Sequence, residues 1–130
     1  MKFILFFSLT LIGLNSLASK SKVQFIKPHE GEQVTATFPV AFSVEGMSVE
    51  KAGILKPGTG HHHLIIDGQA IKLGEIVPNN ETHKHFGDGS SATTLTLPPG
   101  KHTLTLQFAD GAHKSLGEEY SATIHIEVKK

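Results

Sequence analysis

Apolar and polar residues alternate along much of this chain with a period of two, in short runs punctuated by glycine and proline. Side chains at i and i+2 share a face of a strand, so the alternation predicts β-structure, and no stretch carries helical periodicity. The candidate strands are Val23–Ile26, Phe38–Val44, Leu64–Ile66, Ile71–Val77, Thr94–Leu97, Thr103–Phe108 and Ser121–Val128. In the run 103–108, Leu104, Leu106 and Phe108 point one way while Thr103, Thr105 and Gln107 point the other. That is the pattern of a sheet with one face on a core and one in water. Ile124, Ile126 and Val128 repeat it. Pro28-His29-Glu30-Gly31 and Pro98-Pro99-Gly100-Lys101 read as tight turns, and Asp67-Gly68 as a hairpin turn between the third and fourth strands. The pattern predicts an all-β chain: a single immunoglobulin-like β-sandwich of about seven strands. Its core is expected to include Phe25, Phe42, Val44, Leu64, Ile66, Leu95, Leu104, Leu106, Ile124 and Ile126.

The N-terminus breaks this pattern. Lys2 precedes an apolar run from Phe3 to Leu14, and small residues follow at Ser16 and Ala18. This is the order of a secretory signal peptide, which divides the chain into a leader at 1–18 and a sandwich domain at 19–130. The apolar run is far shorter than the roughly 20 residues a membrane-spanning helix needs. No cysteine lies near the cleavage point to accept a lipid, so the expected product has no membrane anchor and is released into the periplasm or the extracellular space. With no cysteine anywhere, the domain must fold without disulfides even in an oxidising compartment.

Charge narrows the function further. The twelve basic residues are all lysine, balanced by twelve acidic ones. Without arginine or a dense positive patch, the chain lacks the usual means of gripping phosphate, and nucleic acid is set aside as a partner. Histidine is the outlier: nine are present, and seven of them fall between His61 and His113.

If consecutive strands reverse direction, alternate loops share one pole of the sandwich. That pole collects His61, His62 and His63 at the start of the third strand, His83 and His85 from the loop 78–91, and Asp110 and His113 from the loop 109–119. His29 and His102 belong to the opposite pole, and His125 points outward from the last strand. Neutral imidazole is a good donor to zinc, copper and nickel. The i, i+2 spacing of His61 with His63, and of His83 with His85, lets each pair face one ion. Asp110 is a candidate ligand or an acceptor for an imidazole N–H. The candidate metal residues are therefore His61, His63, His83, His85, Asp110 and His113. His62 shares a face with Leu64 and Ile66 and reads as a structural residue, and Phe86 as a plug of the core.

The segments Gly60-His61-His62-His63-Leu64-Ile65-Ile66-Asp67, His83-Lys84-His85-Phe86-Gly87, Pro99-Gly100-Lys101-His102-Thr103-Leu104 and Asp110-Gly111-Ala112-His113 occur in this order between residues 60 and 113, within a resemblance that covers nearly all of the mature chain. In this the chain resembles a family of secreted bacterial domains, domain of unknown function 4399. The resemblance implies a periplasmic or extracellular single domain and no particular activity. The family pattern often continues His-x-His-Phe-Gly with Gly-Gln-Thr, where this chain reads Gly87-Asp88-Gly89-Ser90-Ser91.

The function expected is non-catalytic binding of copper, zinc or nickel by the histidine pole, with the ion or a periplasmic protein as partner. The first alternative is a metal-free interaction module in which the same histidines form a hydrogen-bonded network. A cupin-like metal enzyme is the second, suggested by His83-x-His85 and the later Pro-Gly-Lys-His102. It is disfavoured because no glutamate lies between His85 and Glu118. A serine hydrolase is disfavoured as well, since Ser90 and Ser91 sit in no Gly-x-Ser-x-Gly elbow.

Overall fold

The computed structural model describes residues 20–130, so the leader expected at 1–18 lies outside the described residues. Within them the strands are β1 (Val23–Lys27), β2 (Gln33–Val34), β3 (Thr37–Val44), β4 (Ser48–Val49), β5 (Thr59–Ile66), β6 (His83–His85), β7 (Ala92–Thr96), β8 (Gly100–Ala109) and β9 (Ser121–Val128). Two sheets face each other as a sandwich, one of order β1-β3-β7 and one of order β2-β9-β8-β5-β4, with β6 added beside β5. No helix among the described residues is long and apolar enough to cross a membrane.

The period-two pattern accounts for the interface between the sheets. Phe38, Val40 and Phe42 of β3 and Leu95 of β7 meet Leu64 and Ile66 of β5, Leu104, Leu106 and Phe108 of β8, and Ile126 and Val128 of β9 in one buried cluster. Register aligns the layers, with Leu64 opposite Leu106 and Ile66 opposite Leu104. Phe25, Val44 and Ile124 pack at its margin. Phe86 closes one end against Phe42, their ring centroids 5.1 Å apart.

Two expectations need correction. The run Ile71–Val77 is not a strand: its one ladder contact is an isolated bridge from Ile76 to Lys114. Asp67-Gly68 accordingly turns no hairpin. Asp67 adopts a left-handed backbone (φ 53°), and its carboxylate accepts the Thr103 N–H at 3.0 Å and meets His102 Nδ1 at 2.8 Å. The antiparallel partner that follows β5 is instead β6, from within the segment read as a loop.

The second correction concerns the face of the large sheet turned away from the core. Thr105, Gln107, Ile65 and Ala109 are fully buried on it, and every residue of β5 is buried on one face or the other. Irregular segments lie over this face as a third layer. The Ile71 N–H donates to Gln107 Oε1 at 3.0 Å, and Ser115 Oγ donates to the Ile71 carbonyl at 2.7 Å. Gly74 and Val77 N–H groups donate to the carbonyls of Ser115 and His113, and Gly53 N–H to that of Gly111. The polar residues along β8 are therefore the inner fittings of a covered face, and that face carries the chemistry.

Candidate metal centre

β8 occupies one edge of β5 from His61 to Ile66, and the other edge takes β4 at Thr59–Gly60 and β6 at His63–Ile65. Strand alternation then sorts the triple histidine. His62 points into the core with Leu64, while His61 and His63 point under the third layer. Across the strands, His85 is in register with His63, and Gln107 lies opposite His63 on the far side. His113 arrives from the loop after β8, whose last residue Ala109 pairs with His61.

The four residues His61, His63, His85 and His113 each offer a ring nitrogen such that all four atoms lie within 4.8 Å of one another. His61 Nε2 is 3.2 Å from His85 Nε2 and 3.2 Å from His113 Nδ1. A tetrahedral ion with metal–nitrogen bonds of about 2.0–2.1 Å spaces its donors about 3.3 Å apart, so both contacts fit one ion's shell. The cluster could hold a metal ion.

Burial dominates the electrostatics. It pushes His61 down to about 4, helped by the like charges His85 and His113 would carry, with Asp110 acting in the opposite sense. His63 falls to about 3, again from burial first and then from His61, His85 and His113. His85 is lowered by burial and by His113. At neutral pH these rings are uncharged and keep a lone pair each.

The hydrogen bonding is incomplete. His61 Nδ1 and both nitrogens of His63 are buried without a partner. His61 Nε2 has two imidazole neighbours, yet it holds either one proton or one lone pair, so it satisfies one of them well and not both. Such buried, unpaired polar atoms cost about 1–3 kcal/mol each. A cation between the rings would take up the convergent lone pairs.

The other candidates stand elsewhere. His83 faces the same side as His85 but lies opposite Ile65, one step further along β5, and its Nδ1 is 3.0 Å from Asn80 Oδ1 and from Thr82 Oγ1. Asp110 contributes no atom to the group; its Oδ1 accepts the N–H groups of Ala112 and Lys114. His62 is wedged between Phe42 and Phe108, at centroid distances of 4.7 and 4.9 Å, as its face predicts. His102 sits by Asp67 toward the other end of β5, with Nε2 also 2.8 Å from the Pro98 carbonyl. His125 is an exposed partner of Glu30.

Gly87 belongs to the site although nothing marked it as functional. A Cβ there would lie 2.6 Å from His85 Nε2 and clash with the adjacent ring carbon, so the His85 ring folds over a position only glycine leaves open. The signal available was its place directly after His83-Lys84-His85-Phe86. Gln107 was equally legible as an amide on a strand face: besides bonding Ile71, it donates from Nε2 to the Gly117 carbonyl at 3.1 Å and ties the cover to β8.

Fold and site together define an all-β sandwich with a four-histidine cluster under an irregular third layer. The family profile described as domain of unknown function (DUF4399) matches residues 40–129, and the chain belongs to that family. No curated protein and no solved structure matches the chain.

Proposed function

We propose that this protein is a secreted, non-catalytic domain that binds a divalent transition metal, copper(II), zinc or nickel(II), through His61, His63, His85 and His113. The observation that carries the reading is the convergence of four imidazole nitrogens, three of them from one strand pair, that cannot all be satisfied by hydrogen bonding among themselves. An all-nitrogen donor set suits these ions and not calcium or magnesium, which take oxygen. Four protein ligands fill a tetrahedral shell, which is the character of a holding site rather than of a catalytic one with an open position. The leader-like run at 3–14 and the small residues at 16 and 18 support export.

Calorimetric titration of each metal into tag-free protein lacking residues 1–18 tests this. Stoichiometric binding that is lost in His63→Ala/His85→Ala and kept in His102→Ala supports the reading. Equal affinity in wild type and the double variant would instead favour a metal-free histidine network.

A further inference from the structure

His113 reaches the cluster in an unusual way. Its backbone is left-handed (φ 64°), a region uncommon for residues that carry a Cβ, although histidine enters it more readily than most. The neighbouring contacts come from Asp110. Its Oδ1 accepts the Ala112 N–H at 2.9 Å and the Lys114 N–H at 3.0 Å, bracketing His113 on both sides. The main chain of Asp110 closes the loop as well: its carbonyl accepts the His113 N–H at 2.9 Å and its N–H donates to Lys114 at 3.0 Å. From outside, Val77 N–H donates to the His113 carbonyl at 2.9 Å, and Gly111 abuts the Ile54 carbonyl with no room for a Cβ.

We infer that Asp110 is a positioning residue for the metal centre: its carboxylate, bonded to the amides on either side of His113, holds that histidine in the left-handed conformation that brings its ring into the cluster, Nδ1 beside His61. The inference rests on the proposed metal-binding reading. It differs from a ligand role, since Asp110 acts through the backbone, and it explains why the acidic residue three positions before His113 lies near the cluster without joining it. The carboxylate geometry does the positioning, so an asparagine, whose side-chain oxygen can accept the same two amides, is the conservative replacement.

Two measurements on the protein lacking residues 1–18 test this, with thermal unfolding confirming that each variant is folded. In the metal-free protein, the backbone chemical shifts of His113 report its conformation. The left-handed signature is expected in wild type and Asp110→Asn and lost in Asp110→Ala. Zinc titration then reads the consequence. Asp110→Ala is expected to weaken binding about 10–100-fold, the range typical of residues that orient metal ligands, with Asp110→Asn within a few-fold of wild type. Asp110→Ala/His113→Ala should bind no more weakly than His113→Ala alone, because Asp110 acts only through His113. An unchanged His113 signature in Asp110→Ala, or additive losses in the double variant, would overturn the assignment. Wild-type protein that binds no metal would sink the metal reading, while the chemical shifts would still decide what sets His113.

Discussion

His62 and its two neighbours show how one residue type takes opposite roles in adjacent positions. Period-two alternation alone separates them: His62 falls with Leu64 on the core face, His61 and His63 on the other, and that much was legible in the sequence. The sequence could not reveal that both nitrogens of His62 would lie buried and unpaired between two phenylalanines. An orphaned polar group in an apolar site is a liability, so His62→Leu should leave metal binding unchanged and hold or raise stability by about 1–3 kcal/mol in denaturant unfolding. A marked loss would mean that the ring has a partner the geometry does not provide. The buried histidines make a prediction in acid. His61 and His63 stay neutral in the fold down to about 4 and 3, whereas in the unfolded chain they ionise near 6.5. The unfolded state therefore binds more protons between these values. Their contribution to metal-free stability should be level above about pH 6.5 and fall below it, by up to about 1.4 kcal/mol per pH unit for each residue. His102 has the opposite sign. Burial alone would lower it, but its bonds to Asp67 and Pro98 raise it above the ordinary value, so its contribution is present in acid and lost as pH rises through the raised value. Unfolding curves for His102→Ala should thus diverge from wild type more at pH 5.5 than at pH 8.

β6 is the element that the hydrophobic pattern could not reveal. Its three residues, His83-Lys84-His85, contain no apolar side chain to alternate, and its pairing with β5 is a tertiary event. Ile71–Val77 erred the other way: alternating apolar residues there cap the third layer, and Leu73 and Ile76 remain exposed. Both errors share a cause, because strand pairing is set by tertiary partners that local alternation does not report. Along β8 the inward set Leu104, Leu106 and Phe108 is as read, whereas the strand extends to Gly100 and Ala109 and the face read as solvated is covered. Leu106, fully buried in register with Leu64, should cost about 2–5 kcal/mol when cut to alanine, measured by urea unfolding. At β6, register decides which histidine matters: His85→Ala should abolish tight metal binding, whereas His83→Ala, one step along the strand, should leave the affinity within a few-fold of wild type by calorimetry. Gly87→Ala, which forces the His85 ring aside, should resemble His85→Ala in affinity while the fold remains. If Gly87→Ala bound as wild type does, the ring would have another way to reach the ion.

For the whole molecule, the sandwich supplies a rigid floor and the third layer a cover. Two of the four histidines come from the inner strand β5, one from the edge strand β6 and one from the loop after β8, so the cluster forms only when segments distant in sequence come together. An ion that binds this arrangement and not the unfolded chain stabilises it by mass action. At a free ion concentration 100 times Kd the gain is about 2.7 kcal/mol, which should appear as a raised Tm in wild type and vanish in His61→Ala. The convergence of these histidines was foreseeable, although the tracing ran through a strand at 71–77 that does not form and placed them at a pole rather than under a covered face. Its membership was not, because the selection among six candidates depends on register, on the turn at Asp110 and on the covering of a face that its polar residues made look solvated. The most direct test of the account is X-ray absorption at the edge of the ion bound by wild-type protein. The account predicts a first shell of four nitrogens at about 2.0–2.1 Å with the outer-shell scattering of imidazole, reduced by one imidazole in His113→Ala. A shell dominated by oxygen, or one unchanged in His113→Ala and His85→Ala alike, would contradict it.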